Sequence, residues 1–404
     1  MKGQTGRWQV LAAGAAIQIL TGIPAAWGAF QQPVMEEYGF TREQCGFFFS
    51  LTIACYGVGC VLGGYLQDAK GPRAAGLWGA GLTVAGFCGA ACVPGGAAGL
   101  FRLGFSLPVG VGTAFLTPAV MSCAQKWYPD RKGLATGVTG VAAGFSGGFL
   151  TLLVRWVGGR WGIRGVFGLL AALSAAVCGG GSLLLADPPP PKPRPEEQGR
   201  RFKQPPLDLP PARMLRTRDY RLIVGSAALA TPAVLLFSPI VVQLGQERGL
   251  SEGAAHLSVV LGSVGSAAGR LLMPVVSDRV GRRTADLWLF GGLSGLSVLF
   301  AFARGGWVVA CYAALTFCYS GSAALLPALG TDRFGLPHAG VNYGFLVLGM
   351  SAGSLAFPLL ARVLEPPAAR HWLAAAAAAG GAACIARLSP PKQTPKAKGP
   401  GKTP

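Results

Sequence analysis

The chain has 404 residues and a formal net charge of +19, yet only 13% of its residues are charged and 51% are hydrophobic. A soluble globular domain has about 25% charged residues, so this composition does not provide the surface of a soluble enzyme. The apolar content excludes a disordered chain, and 10 cysteines in this length exclude a disulfide scaffold. The composition is typical of an all-α membrane protein with many spans.

Twelve apolar runs follow one another along the chain, each near the roughly 20 residues that a helix needs to cross a bilayer. The runs cover about 8–30, 45–66, 74–93, 98–124, 134–157, 165–185, 222–244, 253–276, 285–303, 306–329, 342–364 and 372–388. The first run follows Lys2 and Arg7, as a signal peptide would, but it is longer than a secretory signal. We therefore predict twelve transmembrane helices, the first of them retained.

The distribution of Lys and Arg predicts the orientation, because basic residues stay on the cytoplasmic side of a membrane. With both termini inside, the inner segments hold 25 Lys and Arg and the outer loops hold 8, counting basic residues at the ends of runs with the adjoining loops, while Arg102 and Arg270 lie further inside predicted spans. We predict a multi-pass protein of the cell membrane with both termini cytoplasmic. Topology and the lipid bilayer account for the basic charge, so we expect no nucleic-acid partner.

A Pro-rich stretch divides the twelve runs into six and six. It begins Asp187-Pro-Pro-Pro-Pro-Lys-Pro-Arg-Pro, and proline at this density stiffens a chain as polyproline II. We predict a six-helix bundle over 1–185, a cytoplasmic basic linker over 186–220, a second six-helix bundle over 221–390 and a disordered cytoplasmic tail over 391–404. We expect the protein to be a monomer.

The two halves share a loop motif. Gly64-x-Leu66-x-Asp68-x-x-Gly71-x-Arg73 follows the second run, and Ser277-Asp278-Arg279-x-Gly281-Arg282-Arg283 follows the eighth. An acid four or five residues before a base in a tight turn can hold an ion pair against a neighbouring helix end. We predict that Asp68 with Arg73, and Asp278 with Arg282, gate the movement of the two bundles. A plain basic turn would explain the arginines, but not the recurrence of Asp and Gly at the same offsets.

Twelve helices, a central linker and this repeated motif resemble the major facilitator superfamily, whose two six-helix halves enclose a substrate site near mid-membrane. Other stretches resemble its oxalate/formate antiporter family, which overlaps in pattern with the monocarboxylate transporters. They include Thr117-Pro118, Lys126-Trp127-Tyr128-Pro129-Asp130-Arg131-Lys132-Gly133, Gly269-Arg270, Asp332-x-Phe334-Gly335 and Asn342-Tyr343-Gly344. The resemblance implies a secondary transporter that works by alternating access. We expect no enzymatic activity, no cofactor and no metal.

The charges inside the predicted spans limit the class of substrate that the protein could bind. All 16 acidic residues fall in loops or at predicted helix ends, so we expect no carboxylate deep in the membrane to hold a cation or a proton. Arg270 lies about two thirds of the way along the eighth run and offers paired donors that suit a carboxylate. Ser266, one turn earlier, adds a hydroxyl on the same helical face. The alternative is an arginine satisfied by helix-end carbonyls or reaching toward Asp278. The resemblance assigns the substrate anion to Arg270.

Taken alone, Trp27, Phe115, Tyr319 and Met350 are each more typical of ordinary helix packing, and it is the resemblance that places them around the substrate. Met350 stands about where the family's oxalate exchanger has a second cation, and Phe115 stands where a tyrosine is expected. One cation suits a small monocarboxylate such as lactate, pyruvate or formate better than a dicarboxylate. Two alternatives stay open, an efflux permease for amphipathic compounds and a transport-inactive membrane sensor.

Overall fold

The structure, a computed structural model, describes residues 6–189, 208–238, 240–363 and 368–389. Within these ranges every regular element is a helix. The predicted tail over 391–404 and the linker residues 190–207 lie outside the described residues. We refer to the face that carries loops 67–73, 125–133, 277–284 and 330–341 as the basic face; it is the face predicted to be cytoplasmic.

The first half contains eight α-helices. They are α1 (Arg7–Thr21), α2 (Ile23–Tyr38), α3 (Arg42–Lys70), α4 (Pro72–Cys92), α5 (Ala98–Phe101), α6 (Leu107–Trp127), α7 (Lys132–Leu173) and α8 (Gly180–Leu184). Two π-helical turns, Arg102–Ser106 and Ser174–Gly179, join α5 to α6 and α7 to α8. Each pair therefore forms one continuous helical segment.

The second half contains nine α-helices among the described residues. They are α9 (Pro211–Met214), α10 (Arg218–Ala230), α11 (Pro232–Leu235), α12 (Val241–Glu247), α13 (Glu252–Val280), α14 (Arg282–Phe302), α15 (Gly306–Phe334), α16 (Ala339–Val363) and α17 (Ala369–Ala386). Pro232 begins a new helix immediately after α10, because proline cannot donate a hydrogen bond to the preceding turn.

All twelve predicted runs fall on helical segments. The first run is divided between α1 and α2, the seventh is broken into α10, α11 and α12, and the fifth and sixth join within Lys132–Leu184. The join bends at Gly162, whose φ of 65° favours glycine. Eight described helical segments are long and apolar enough to cross a membrane, or nine with the bent α1–α2 pair. Nine is three fewer than the twelve predicted runs. The fifth and sixth runs count as one joined segment, and neither the broken seventh run nor the 18-residue α17 is among the segments counted.

Each half has its own main hydrophobic core. The larger core of the first half is built from residues 10–185, with fully buried rings from several helices such as Phe30, Phe101 and Phe167. The other is built from residues 214–388, and among the described residues it takes buried Cys60 and Ala114 and half-buried Tyr56 from the first half. Each half thus packs mainly on itself, as two bundles that move against each other require. The exact bundle boundaries predicted from the sequence stay a prediction.

The halves meet mainly along two helix pairs, α3 with α16 and α7 with α13, and α7 with α15 and α6 with α16 add smaller contacts. Small residues let the backbones approach closely, as is usual between membrane helices. A Cβ atom added to Gly144 of α7 would lie 2.7 Å from the Cα atom of Ala267 on α13. The seam between α7 and α13 also carries Arg270.

Candidate transport site and gate

Arg270 emerges from α13 at the seam with α7. A Cβ atom added to Gly140 of α7 would lie 3.3 Å from the Cβ atom of Arg270. The arginine is half-buried, and its enclosed Nε atom has no hydrogen-bond partner among the described residues. Asp278, the internal partner considered from the sequence, pairs with Arg282 instead. The structure therefore supplies no carboxylate for Arg270 from the part of the chain that it describes.

Two tyrosines of the second half lie near this arginine. Tyr319 of α15 and Tyr343 of α16 lie within electrostatic reach of the Arg270 guanidinium. Tyr56 of α3 lies beside Tyr343 and close to the hydroxyl of Thr117. One cation and two phenol groups thus lie near one another, a set of donors suited to a small anion, and Tyr56 extends the set of hydroxyls toward the first half.

Sequence reasoning missed Tyr56 and Tyr343 as site residues. Tyr343 stands in the Asn-Tyr-Gly stretch that resembles the family, and that signal could have identified it. Tyr56 stands in no motif, and only its contact across the seam between α3 and α16 shows its place.

A small cavity inside the second half brings together two of the predicted residues, Tyr319 and Met350. Its lining comes from α10, α14, α15 and α16 and comprises Ser226, Ala227, Ala230, Asp286, Tyr319, Ser322, Ala323, Leu326, Leu329 and Met350. Ser266 lies elsewhere on α13, where its hydroxyl shares a hydrogen bond of 2.7 Å with Ser320 of α15. Ser266 therefore braces α13 against the helix that carries Tyr319.

Asp286 corrects the expectation that no carboxylate is buried within the spans. It is 4% exposed, and its Oδ1 atom accepts a hydrogen bond of 2.7 Å from the Ser322 hydroxyl. Asp286 lies only one turn from the start of α14, so the sequence placed it at a helix end. In the fold it lines the same cavity as Met350, which lies about three turns into α16, so Asp286 is further from the basic face than its place in α14 indicates.

Trp27 and Phe115 are placed away from this cavity. Trp27 packs in the first core with its ring centroid 6.3 Å from that of Phe49 and 5.7 Å from that of Phe105. Phe115 covers Gly63 of α3, where an added Cβ atom would lie 3.0 Å from the ring carbon Cγ. Substrate contact by Trp27 and Phe115 stays a prediction of the resemblance.

On the basic face, Asp68 links the two halves. Its carboxylate oxygens accept hydrogen bonds from the backbone N–H groups of Gly340, at 3.2 Å, and Val341, at 2.9 Å. These groups belong to the first turn of α16, where unpaired N–H groups and the helix dipole attract a negative charge. The ion pair predicted between Asp68 and Arg73 is wrong for this structure, since Asp68 caps α16 and Arg73 is exposed.

The second copy of the motif forms the predicted ion pair between Asp278 and Arg282. Arg282 also contacts Asp332 of α15 at 3.3 Å, and Asp332 binds Lys132 at the start of α7 at 2.9 Å. The Lys132–Asp332 pair crosses from one half to the other. Gly133, the next residue of α7, lies directly against the Pro274 carbonyl and the Asp278 carboxylate. Both copies of the motif therefore contact the other half at the basic face, the first through Asp68 and the second through Asp278.

A first prediction concerns Asp68→Asn. The amide keeps one oxygen but loses the second acceptor and the charge, which should weaken the capping of α16 by about 1–3 kcal/mol. We expect slower turnover with little change in substrate affinity, measured as exchange rate and Kd in parallel. Arg73→Gln is the matched comparison. Equal slowing by Arg73→Gln would show that an ion pair, and not the cap, carries the gating role.

The family model described as the Major Facilitator Superfamily matches residues 11–358. The chain belongs to the Major Facilitator Superfamily. The twelve-helix, two-bundle fold class predicted from the sequence is thereby confirmed. Membership also makes the chain a multi-pass membrane transport protein.

Three relatives show how similar this superfamily member is to known proteins. The oxalate:formate antiporter of Oxalobacter formigenes is 27% identical over 351 residues, which are 83% of this chain and 79% of the relative. The probable sulfoacetate transporter SauU of Cupriavidus necator is 30% identical over 147 residues, 35% of this chain and 32% of the relative. A crystal structure of the superfamily transporter FucP in the outward conformation gives a TM-score of 0.70 at 13% identity, over 93% of this chain and 97% of FucP.

Proposed function

We propose that this superfamily member is a secondary transporter of a small organic anion, a monocarboxylate of the size of formate, lactate or pyruvate. The observation that carries the proposal is Arg270, an arginine at the seam between the halves that has no acid partner among the described residues. An arginine within a span costs about 2.5–3.5 kcal/mol on insertion scales. A substrate carboxylate offsets that cost, because it accepts two parallel hydrogen bonds from the guanidinium.

The residues near Arg270 favour a substrate that carries a single negative charge. Tyr319 and Tyr343 add neutral hydroxyl donors, and Met350 adds an apolar contact in the adjoining cavity. One cation neutralises one carboxylate, and the rest of a small monocarboxylate then needs only weakly polar surroundings. The names of the relatives cover formate, oxalate and sulfoacetate, so they support an organic anion without choosing its charge.

Transport follows from the way the halves meet. The substrate site lies between the bundles, and the contacts of Asp68 and Lys132 close the basic face beneath it. Opening those contacts while the opposite side closes would expose Arg270 alternately to the two sides. In this proposal the protein acts as a monomer in the cell membrane, with the basic face and both termini toward the cytoplasm.

The efflux permease remains the main alternative. Asp286 removes the argument that no buried acid could hold a cation. The free space beside Asp286 is about that of one water molecule, which is too small for either class of substrate, so this cavity does not choose between them. Arg270 favours the anion, because it is a cation without an acid partner among the described residues.

A second prediction tests the charge of the substrate by thermal unfolding of the purified protein. A ligand that binds the folded state raises Tm, and the rise grows with the logarithm of the ligand concentration relative to Kd. We expect lactate, pyruvate or formate to raise Tm more than oxalate or malonate does at equal concentration. Chloride and sulfate at matched ionic strength are the controls. Stronger protection by the dicarboxylates would contradict the argument from a single cation.

A further inference from the structure

Helix α7 carries an Arg-Trp dipeptide twice near the face opposite the basic face, as Arg155-Trp156 and Arg160-Trp161. The two tryptophans are 66% and 67% exposed. Trp156 lies about 36 Å along α7 from the start of the helix at the basic face, so it stands just beyond a hydrocarbon core of about 30 Å. Exposed tryptophans at such a depth are typical of the level of the lipid headgroups. Trp307 and Trp372, exposed near the starts of α15 and α17, mark the same level in the second half.

Two arginines stand at this level without an acidic partner in the part of the chain that the structure describes. Arg155 and Arg160 are both exposed, and neither forms an ion pair with a described carboxylate. Arg160 lies over the Trp156 ring, with its Cζ atom 5.0 Å from the ring centroid. Arg164, further along the chain, is instead paired with Glu37 at 2.7 Å. The headgroup level of α7 therefore presents two positive charges that an anion could neutralise.

An exposed apolar stripe leads from these arginines into the membrane. Phe145, Phe149, Leu152 and Trp156 follow one another at spacings of four, three and four residues, so they lie on one face of α7. All four are among the exposed large hydrophobic residues. The stripe is about 16 Å long, which is close to half of a hydrocarbon core of about 30 Å. It therefore has the length of one acyl chain in one leaflet.

A gap between the two halves runs beside this stripe. Gly140 and Gly144 of α7 lie against Arg270 and Ala267 of α13, but a Cβ atom added to Gly148, one turn further, would meet no other atom within 4 Å. On α13, Val260 and Val264 lie on the same face as buried Ala267, yet both are more than half exposed. The helices thus separate toward the face opposite the basic face and leave an apolar space beside α7.

The charges on α7 suit an anionic phospholipid better than a second copy of the chain. In a symmetric dimer the same patch of each copy faces the other, so Arg155 and Arg160 would approach their own counterparts. Like charges brought together in this way disfavour the contact. A zwitterionic headgroup would bring its own cation to the two arginines, whereas an anionic headgroup brings only negative charge. Each guanidinium can donate paired hydrogen bonds to phosphate oxygens.

We propose that this surface of α7 binds one anionic phospholipid in the leaflet opposite the basic face. The phosphate accepts hydrogen bonds from Arg155 and Arg160, and one acyl chain lies along Phe145, Phe149 and Leu152 to the middle of the membrane. Trp156 lies between the two parts, at the level of the glycerol. The inference goes beyond the proposed function, because it does not depend on which substrate is carried.

Native mass spectrometry of the purified, delipidated protein tests the choice of lipid. The protein is titrated with phosphatidylglycerol and with phosphatidylcholine of the same acyl chains. We expect the wild type to prefer phosphatidylglycerol, and the double variant Arg155→Gln, Arg160→Gln to bind it at least about tenfold more weakly. The variant Arg155→Lys, Arg160→Lys keeps the charge and should keep most of the affinity.

The double variant Arg42→Gln, Arg304→Gln is the charge-matched control. It removes two exposed arginines from the same face of the protein, and it should bind phosphatidylglycerol within a few-fold of the wild type. All these substitutions are at exposed positions, so each variant should unfold near the wild-type temperature in lipid-free detergent. Equal affinity of the wild type for both lipids, or wild-type affinity in Arg155→Gln, Arg160→Gln, would overturn the proposal.

Cross-linking in liposomes tests the position of the lipid. Phosphatidylglycerol with a photoreactive diazirine in one acyl chain should label α7 within 145–156 more strongly than the other lipid-facing helices, and this excess should disappear in Arg155→Gln, Arg160→Gln. Label spread evenly over the lipid-facing helices would overturn the site. Oxidative cross-linking of two copies of Leu152→Cys in the membrane would show that a second copy covers the stripe, and would also overturn it.

Discussion

Arg270→Gln should lose most of its affinity for the transported carboxylate. The substitution removes the cation while the substrate still has to give up its hydration shell, which costs about 2–5 kcal/mol. That range corresponds to a rise in Kd of roughly 30-fold to several thousand-fold. Arg270→Lys should bind with intermediate affinity, since it retains the charge but not the paired donors. Equilibrium binding of labelled lactate or pyruvate to the purified variants gives these values.

Arg102→Gln is the matched control, because Arg102 also lies inside a predicted span, about one turn from its end. It lies over the Phe47 ring, 5.2 Å from the ring centroid, in the helical segment that contains α5 and α6. Removal of its charge should leave the Kd within a few-fold of the wild type. Binding by folded Arg270→Gln at wild-type affinity would show that the arginine is structural.

Gly133→Val should prevent the basic face from closing. A side chain at this position would meet the carbonyl oxygen of Pro274 and the carboxylate of Asp278 on the other half. Overpacking of this kind costs about 1–3 kcal/mol where neighbours can move, and more against backbone. Because the cost falls only on the closed arrangement, we expect exchange to fall at least about tenfold. Amide hydrogen exchange should become faster at 337–345, where α16 begins.

Gly148→Val provides the control on the same helix, since a Cβ atom at Gly148 would meet no other atom within 4 Å. It should exchange substrate at a rate near that of the wild type. Gly340→Val should reproduce the defect of Gly133→Val, because a Cβ atom there would lie 2.8 Å from Oδ1 of Asp68. Normal exchange in both gate variants would show that the observed closure is not part of the transport cycle.

The sequence predicted the helices well because the bilayer imposes their length and composition. It also placed Asp278 and Arg282 together, since residues four apart on one turn are neighbours in any tight helical connection. The partner of Asp68 was not predictable from the motif. That partner is the backbone of Gly340 and Val341, and unpaired N–H groups carry no side-chain signature.

Depth in the membrane was the other quantity that the sequence did not provide. Counting from the helix start put Asp286 at a water-exposed end, yet the offset between α14 and its neighbours buries it beside Met350. The ring of Trp27 packs against Phe49 and Phe105 in the first core, and contact between Trp27 and the substrate stays a prediction of the resemblance.

Counterflow in proteoliposomes tests the central claim most directly. Vesicles that contain the wild-type protein and unlabelled lactate, pyruvate or formate are diluted into the labelled compound, and the label inside is followed. We predict that at least one of these monocarboxylates accumulates transiently in vesicles with the wild-type protein. This accumulation should be lost in Arg270→Gln and retained in Arg102→Gln. Absence of counterflow for every monocarboxylate, with accumulation of an amphipathic cation instead, would contradict it.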